Sequence, residues 1–250
     1  MRLFFKIMVL TCFLALPVMA NVAEGLAADS VNTEQSASSE QEGGMKDDMD
    51  DVSDPLEGWN RLMYTFNDML YFGIIKPLAT LYAAITPEGF RINVRNFFHN
   101  LAMPQHFVSA LLQGDIQGAG RELGRFGINT VLGLGLFDVA ESSFGLSSGN
   151  EDIGQALGSM GMGDDLFLVW PVIGPSNFRD TVGYVGDTAL NPLTYYPGDQ
   201  WTRVGIQAYK VVNNTSLRIG EYEEMKEAAL DPYISLRDAY LQMRRKQIAE

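Results

Sequence analysis

The chain has 250 residues, 46% of them hydrophobic, with 18 Lys and Arg against 31 Asp and Glu, a formal charge of -13 at pH 7. That acidity excludes the basic footprint nucleic acid demands, and a single cysteine excludes an internal disulfide. The length suits one large domain with its own core, while a mean hydropathy of -0.02 is oily for an acidic soluble protein.

The chain opens MRLFFKIMVLTCFLALPVMA, with Arg2 and Lys6 before an apolar stretch and small residues up to Ala20. This is the layout of a secretory signal over residues 1–20, cleaved before Asn21, so the mature chain is exported. Residues 21–53 hold nine acids and one base, Lys46. With their Ser, Glu, Gln and Gly bias they read as a disordered acidic tether.

A domain is expected over residues 54–250. In DPLEGWNRLMYTFNDML, Asp54 suits a helix cap and Pro55 its first position, and Leu56, Trp59, Met63, Phe66 and Leu70 make an amphipathic face. TPEGFRINVRNFFHNL predicts a second helix, capped at Thr86, with Phe90, Val94, Phe97 and Leu101 on one face and Arg91, Arg95 and His99 on another. MPQHFVSALLQG starts at Pro104 and stops at Gly114; DIQGAGRELGRFGINTVLGLGLF carries Arg121 and Arg125 one turn apart. Its Gly120, Gly124 and Gly127 suit close helix packing. A long helix is expected from about Trp201 to Met225, and a last one after Asp231 and Pro232. No run alternates over more than a few residues, so the fold class is all-α.

Chemical motifs are sparse. GLSSG, Gly145 to Gly149, matches the GxSxG string with Ser147 as nucleophile, but both histidines, His99 and His106, precede it and no good strand leads into it. Two histidines and no mature cysteine make no zinc spacing. GAGRELG lacks the strand context of a dinucleotide site. The expectation is no enzyme, no cofactor and no metal.

DPLEGWNRLMYTFN (54–67), Pro77, GRFGINTVLGLGLFDVA (124–140), DIGQALGSMGMG (152–163), LVWPVIGPSNFRDTVG (168–183) and DPYISLRDAYLQ (231–242) together resemble the MlaA (VacJ) family of outer-membrane lipoproteins. The resemblance implies a ring-like bundle of amphipathic helices in one leaflet of the Gram-negative outer membrane, at its periplasmic face, around a central amphipathic channel. It implies phospholipid as cargo, removed from the outer leaflet to keep the membrane asymmetric, a trimeric porin as neighbour and a periplasmic MlaC-like carrier as acceptor. A soluble periplasmic lipid-binding chaperone, or a lipid hydrolase using Ser147, is the alternative.

In that setting Arg91, Arg95, Arg121 and Arg125 are candidates for contact with lipid phosphates. The apolar run Leu166, Phe167, Leu168, Val169, Trp170, Val172 and Ile173 is too short to span a bilayer, and Pro171 argues against a central strand. It is expected as a bent ledge at the membrane rim or channel mouth, followed by a helix capped at Ser176. Phe66, Asn67, Asp68, Met69 and Leu70 are the candidate moving element. Cys12 follows Thr11 and precedes an apolar FLALPVMA, so lipidation there is not expected, a departure from the family.

Overall fold

The computed structural model describes residues 54–164 and 166–249; the expected signal, the tether and Cys12 lie outside them. Eleven helices occur among the described residues: α1 (Glu57–Leu70), α2 (Lys76–Ile85), α3 (Glu88–Leu101), α4 (Met103–Gln113), α5 (Ile116–Val131), α6 (Val139–Phe144), α7 (Ile153–Ser159), α8 (Phe178–Leu190), α9 (Gln200–Ser216), α10 (Glu221–Ala228) and α11 (Pro232–Ala249). Between α7 and α8 lies an antiparallel pair, β1 (Phe167–Trp170) and β2 (Gly174–Asn177).

Helices α1 and α2 form one 29-residue rod from Glu57 to Ile85, joined by a π-helical turn over Tyr71–Ile75. Pro77 lacks an N–H and crowds the carbonyl four residues back, and the wider turn just before it absorbs that clash without ending the helix. At about 1.5 Å per residue the rod is some 40 Å long. It is long and apolar enough to cross a membrane, and only 6% of its most apolar window is buried.

The apolar core is small: Phe167, Val169, Tyr233, Tyr240, Leu241 and Met243, with Met63, Tyr64 and Ile234 against them. It places the hairpin between α1 and α11. This corrects the expected ledge, because Phe167 and Val169 are 1% exposed and Val172 is buried too, with Leu168, Trp170 and Ile173 half-buried. A proline does sit in β2, Pro175, opposite Val169. Val169 turns its N–H to Asn60 Oδ1 (2.8 Å) and its carbonyl to Trp59 Nε1 (3.2 Å), so that pair needs no ladder bond and tolerates a residue without a donor.

Caps depart from expectation at three places. Helix α1 begins at Glu57 without a side-chain cap, and Asp54 instead accepts from Asn60 Nδ2 (2.9 Å) and the Tyr233 hydroxyl. Thr86 closes α2 and leaves Pro87 to precede α3; Asn177, not Ser176, caps α8. The helix expected from Trp201 to Met225 breaks at Leu217–Gly220, where Gly220 takes φ +111°. Asp231 does cap α11, accepting from the Tyr233 and Ile234 amides.

The glycines of α5 meet nothing: a Cβ on Gly120, Gly124 or Gly127 would enter open space. Close approach occurs elsewhere, where a Cβ on Gly183 would lie 2.4 Å from the Gly154 amide nitrogen and one on Gly154 2.6 Å from Asp180 Oδ1. That contact presses α7 onto α8 beside a buried ionic cluster. Arg244 uses all five donors there, forked onto Asp152 (2.6 and 2.9 Å) and Asp180 (3.0 and 2.8 Å), with Gln247 Oε1 at 3.0 Å. Arg179, Asn177 and Tyr240 complete Asp180.

Two guanidiniums balance two carboxylates, and a third acid, Asp187, accepts from the Ile153 amide at 3.1 Å. Burial, then the charge of Asp152, pushes the Asp187 carboxyl up to about 8, so it carries a proton at neutral pH. An acid whose folded pKa exceeds its unfolded value of about 4 destabilises the fold increasingly as pH rises from 4 to 8. Asp187→Asn keeps the acceptor and removes that penalty. Its melting temperature is expected to exceed the wild type's more at pH 8.5 than at pH 5; equal gains at both would refute the protonated carboxyl.

Candidate functional site: a cationic helix face beneath an apolar surface

Helix α3, which carries Arg91, Arg95 and His99 at four-residue steps, packs against α9. Asn213 Nδ2 donates to the Arg91 carbonyl (2.9 Å), and Arg91 Nη1 donates to the Ser216 carbonyl and hydroxyl at the far end of α9. The Tyr82 hydroxyl, from α2, donates to Asn213 Oδ1 (3.1 Å) and lies 2.9 Å from the Tyr209 hydroxyl. Three helices therefore meet along a polar seam.

The other end of α3 is also electropositive. Burial, then His106, Arg125 and Lys210, push the His99 imidazole down to about 3, so it stays neutral. Its Nε2 lies 2.8 Å from the Ser148 hydroxyl and its ring stacks on His106 at 4.9 Å.

The four arginine candidates separate. Arg125, 3% exposed, is taken up inside the chain by Asp138 (2.6 Å) and the Leu146 carbonyl, and there it straps the 145–152 loop to α5. Arg91 meets only neutral acceptors. Arg121 lies 3.9 Å from Asp115 and leaves a buried Nε unpaired. Arg95 is half-buried and, among the described residues, forms no ion pair.

Ser147 is exposed and follows helix α6, not a strand, and the histidine bond goes to its neighbour Ser148. The elbow that a serine nucleophile requires is not built here. Among the described residues no group of His, Cys, Asp and Glu is arranged to hold a metal ion.

In the candidate moving segment, Asn67 is buried and reaches the hairpin tip, donating to the Trp170 carbonyl (2.9 Å) and accepting from the Val172 amide (2.6 Å). Asp68 accepts from Tyr222 (2.9 Å) and Lys226 (2.7 Å) of α10. Met69 is exposed, and Phe66 and Leu70 are half-buried.

Apolar side chains are abundant on the surface, and polar ones are abundant inside. Large apolar side chains exposed to the surroundings, from Leu62, Leu81 and Ile85 on the rod to Ile116, Val131 and Leu134 near α5 and Val185 and Trp201 beyond, outnumber the buried ones. Asn60, Gln105, Glu122, Arg125, Asn129, Arg179, Asn213 and Arg244 are buried.

A profile described as MlaA lipoprotein matches residues 52–247. The chain belongs to the MlaA family. It is 34% identical over 198 residues to the intermembrane phospholipid transport system lipoprotein MlaA of Escherichia coli K12, covering 76% of each chain. It is also 34% identical over 200 residues to an uncharacterized protein of Rickettsia bellii, covering 79% of this chain and 78% of that one. A solved structure, from work on the structural basis for maintenance of bacterial outer membrane lipid asymmetry, superposes with a TM-score of 0.69 at 32% identity. It covers 78% of this chain and 99% of its own. Helix dominates both, so the all-α expectation holds, with the hairpin as its exception.

The cationic character of α9 was not read from the sequence. The stretch from Gln200 to Arg218, α9 and the two residues after it, contains Arg203, Lys210 and Arg218 and no acid, a signal visible in the sequence of so acidic a protein.

Proposed function

We propose that this member of the MlaA family serves intermembrane phospholipid transport at the outer membrane and so maintains its lipid asymmetry. The observation that carries the reading is the large set of exposed apolar side chains, which acyl chains would satisfy, beside an interior rich in charged and amide side chains. Helix packing follows a closed circuit, from α2 through α9, α3, α5, α4, α7 and α11 to the hairpin and back along α1. In this reading the circuit is the ring, seated in one leaflet, and its polar inner face is the channel.

Drawing a phosphate through hydrocarbon costs several kcal/mol, and a wall of guanidinium, amide and hydroxyl groups lowers that cost by replacing water. Arg95, Arg91 and Arg121 are the headgroup contacts. The outer leaflet is the source of the lipid, a trimeric porin the neighbour and an MlaC-like periplasmic carrier the acceptor. The kinship with proteins named as lipoproteins gives no support to an unlipidated Cys12.

The test is fractionation and lipid analysis. The protein is expected to stay with outer membranes through a high-salt wash and to carry glycerophospholipid after gentle detergent extraction. Its deletion is expected to raise the phospholipid accessible to an externally added phospholipase. A chain washed off by salt would be the soluble chaperone instead.

A further inference from the structure

The α1–α2 rod has a weak joint. Its π-helical turn bonds the Lys76 amide to the Tyr71 carbonyl, five residues back, and Gly73 inside the turn and Pro77 just after it both disfavour regular helix. Helix α10 lies across that joint and grips both sides. Lys226 pairs with Asp68 of α1 (2.7 Å), and Glu223 pairs with Lys76 of α2 (2.7 Å) and accepts from the Tyr71 hydroxyl (3.1 Å). The Tyr222 hydroxyl donates to Asp68 (2.9 Å) and lies 3.2 Å from that of Tyr64, and its ring meets Tyr71 edge-on. Both ammoniums, Lys226 at 4.8 Å and Lys76 at 5.3 Å, sit over the Phe72 ring. The signs cross: an acid on α1 and a base on α2 meet a base and an acid on α10, so a reversed placement would set like charges together.

The grip is polar and reached by water. No residue of α10 is buried, and Lys76 and Lys226 are 35% and 32% exposed, so each ion pair holds weakly. Gly220 at φ +111° precedes the helix, and the fully exposed Leu230 follows it. A helix tied in this way belongs to the least stable part of a fold and opens before the core does. Resting on the transport reading, we infer that α10 is a releasable strap: docked, it holds the two halves of the rod as one wall, and undocked, it lets the joint flex and lipid pass.

The experiment uses the full chain purified in mild detergent with its bound lipid. Hydrogen exchange is read at the Glu224 amide, which closes the first turn of α10 on the Gly220 carbonyl, at the Lys76 amide of the joint and at the Val169 amide of the core. Lys226→Asp sets two acids face to face at Asp68, and it is expected to speed exchange at Glu224 and Lys76 about tenfold while Val169 is unchanged. Adding Asp68→Lys restores opposite charges and is expected to return both amides toward the wild-type rate. Tyr222→Phe, which keeps the ring, is expected to give a smaller rise at the same two amides. Transfer of bound lipid to phosphatidylcholine vesicles is expected to quicken about fivefold in Lys226→Asp at an unchanged load, and to return with Asp68→Lys. Acceleration at Glu224 without Lys76, or equal acceleration at Val169, overturns the strap. Faster exchange with an unchanged transfer rate overturns the gating and leaves the transport reading standing; wild type that carries no lipid overturns the transport reading and the gating together.

Discussion

Arg244→Ala is expected to destabilise the fold by about 3–5 kcal/mol, the range for removing one partner of a buried ion pair. The magnitude follows from what would be left behind. Asp152 and Asp180 lie on different elements, α7's cap and α8, and both depend on the same guanidinium from α11. Without it, two carboxylates remain in a site whose Arg179 satisfies only one of them. The measurement is thermal melting followed by near-ultraviolet circular dichroism in detergent.

The pH profile separates this cause from lost packing. In the wild type, Arg244 and the hydrogen-bond donors around Asp180 outweigh its burial and hold its carboxyl down at about 2. A depressed folded pKa contributes stability that is present above pH 4 and lost as pH falls toward 2. In Arg244→Ala the orphaned carboxylates are relieved by protonation as well as Asp187, so its melting temperature is expected to rise from pH 7 to pH 4.5 by more than the wild type's. Adding Asp152→Asn and Asp180→Asn is expected to recover much of the loss at pH 7. A variant whose melting temperature changes between pH 7 and pH 4.5 no more than the wild type's would show that the guanidinium acts through its stem alone.

Local structure was legible where one turn of chain carries the whole signal. The four-residue steps of Arg91, Arg95 and His99 and the Asp231 cap hold because each depends on 3.6-residue periodicity or on a donor two or three residues away. The hairpin was illegible for a converse reason. Its open edge is completed not by a strand but by Asn60 and Asn67, about a hundred residues earlier. Nothing within residues 166–177 announces that the missing partners exist, and a proline there argues for the wrong side of the choice. The α5 glycines misled similarly, since small residues at regular spacing promise contact without saying with what. Arg125 and Arg95 have alike sequence surroundings, and only Asp138, folded back from the next turn, distinguishes a clamp from a free cation.

The pair Asn60 and Asn67 lies seven residues apart, two turns of α1, and so presents both amides to β1 in one line. Each acts as a strand would: Asn60 bonds the Phe167 carbonyl (3.1 Å) and Val169 amide, Asn67 the Trp170 carbonyl and Val172 amide. Substitution by leucine, nearly isosteric, strands two main-chain groups in each case, at about 1–3 kcal/mol apiece where they stay dry. Asn60 is fully buried in the core, so Asn60→Leu is expected to lower global stability by about 2–4 kcal/mol. Asn67 holds the tip, where Val172 sits at φ +71°, a strained setting for a β-branched residue. Asn67→Leu is therefore expected to release that strain locally: hydrogen exchange at the Val172 amide accelerates by orders of magnitude while the Val169 amide keeps its protection. The π-helical turn begins four residues beyond Asn67, so in the proposed reading a freed tip would loosen the end of α1, where Phe66–Leu70 is the candidate moving element. The expected functional result is an altered rate of lipid transfer to an acceptor with bound lipid still present. Equal acceleration at both amides would mean that the hairpin opens as a unit and that Asn67 is no separate latch.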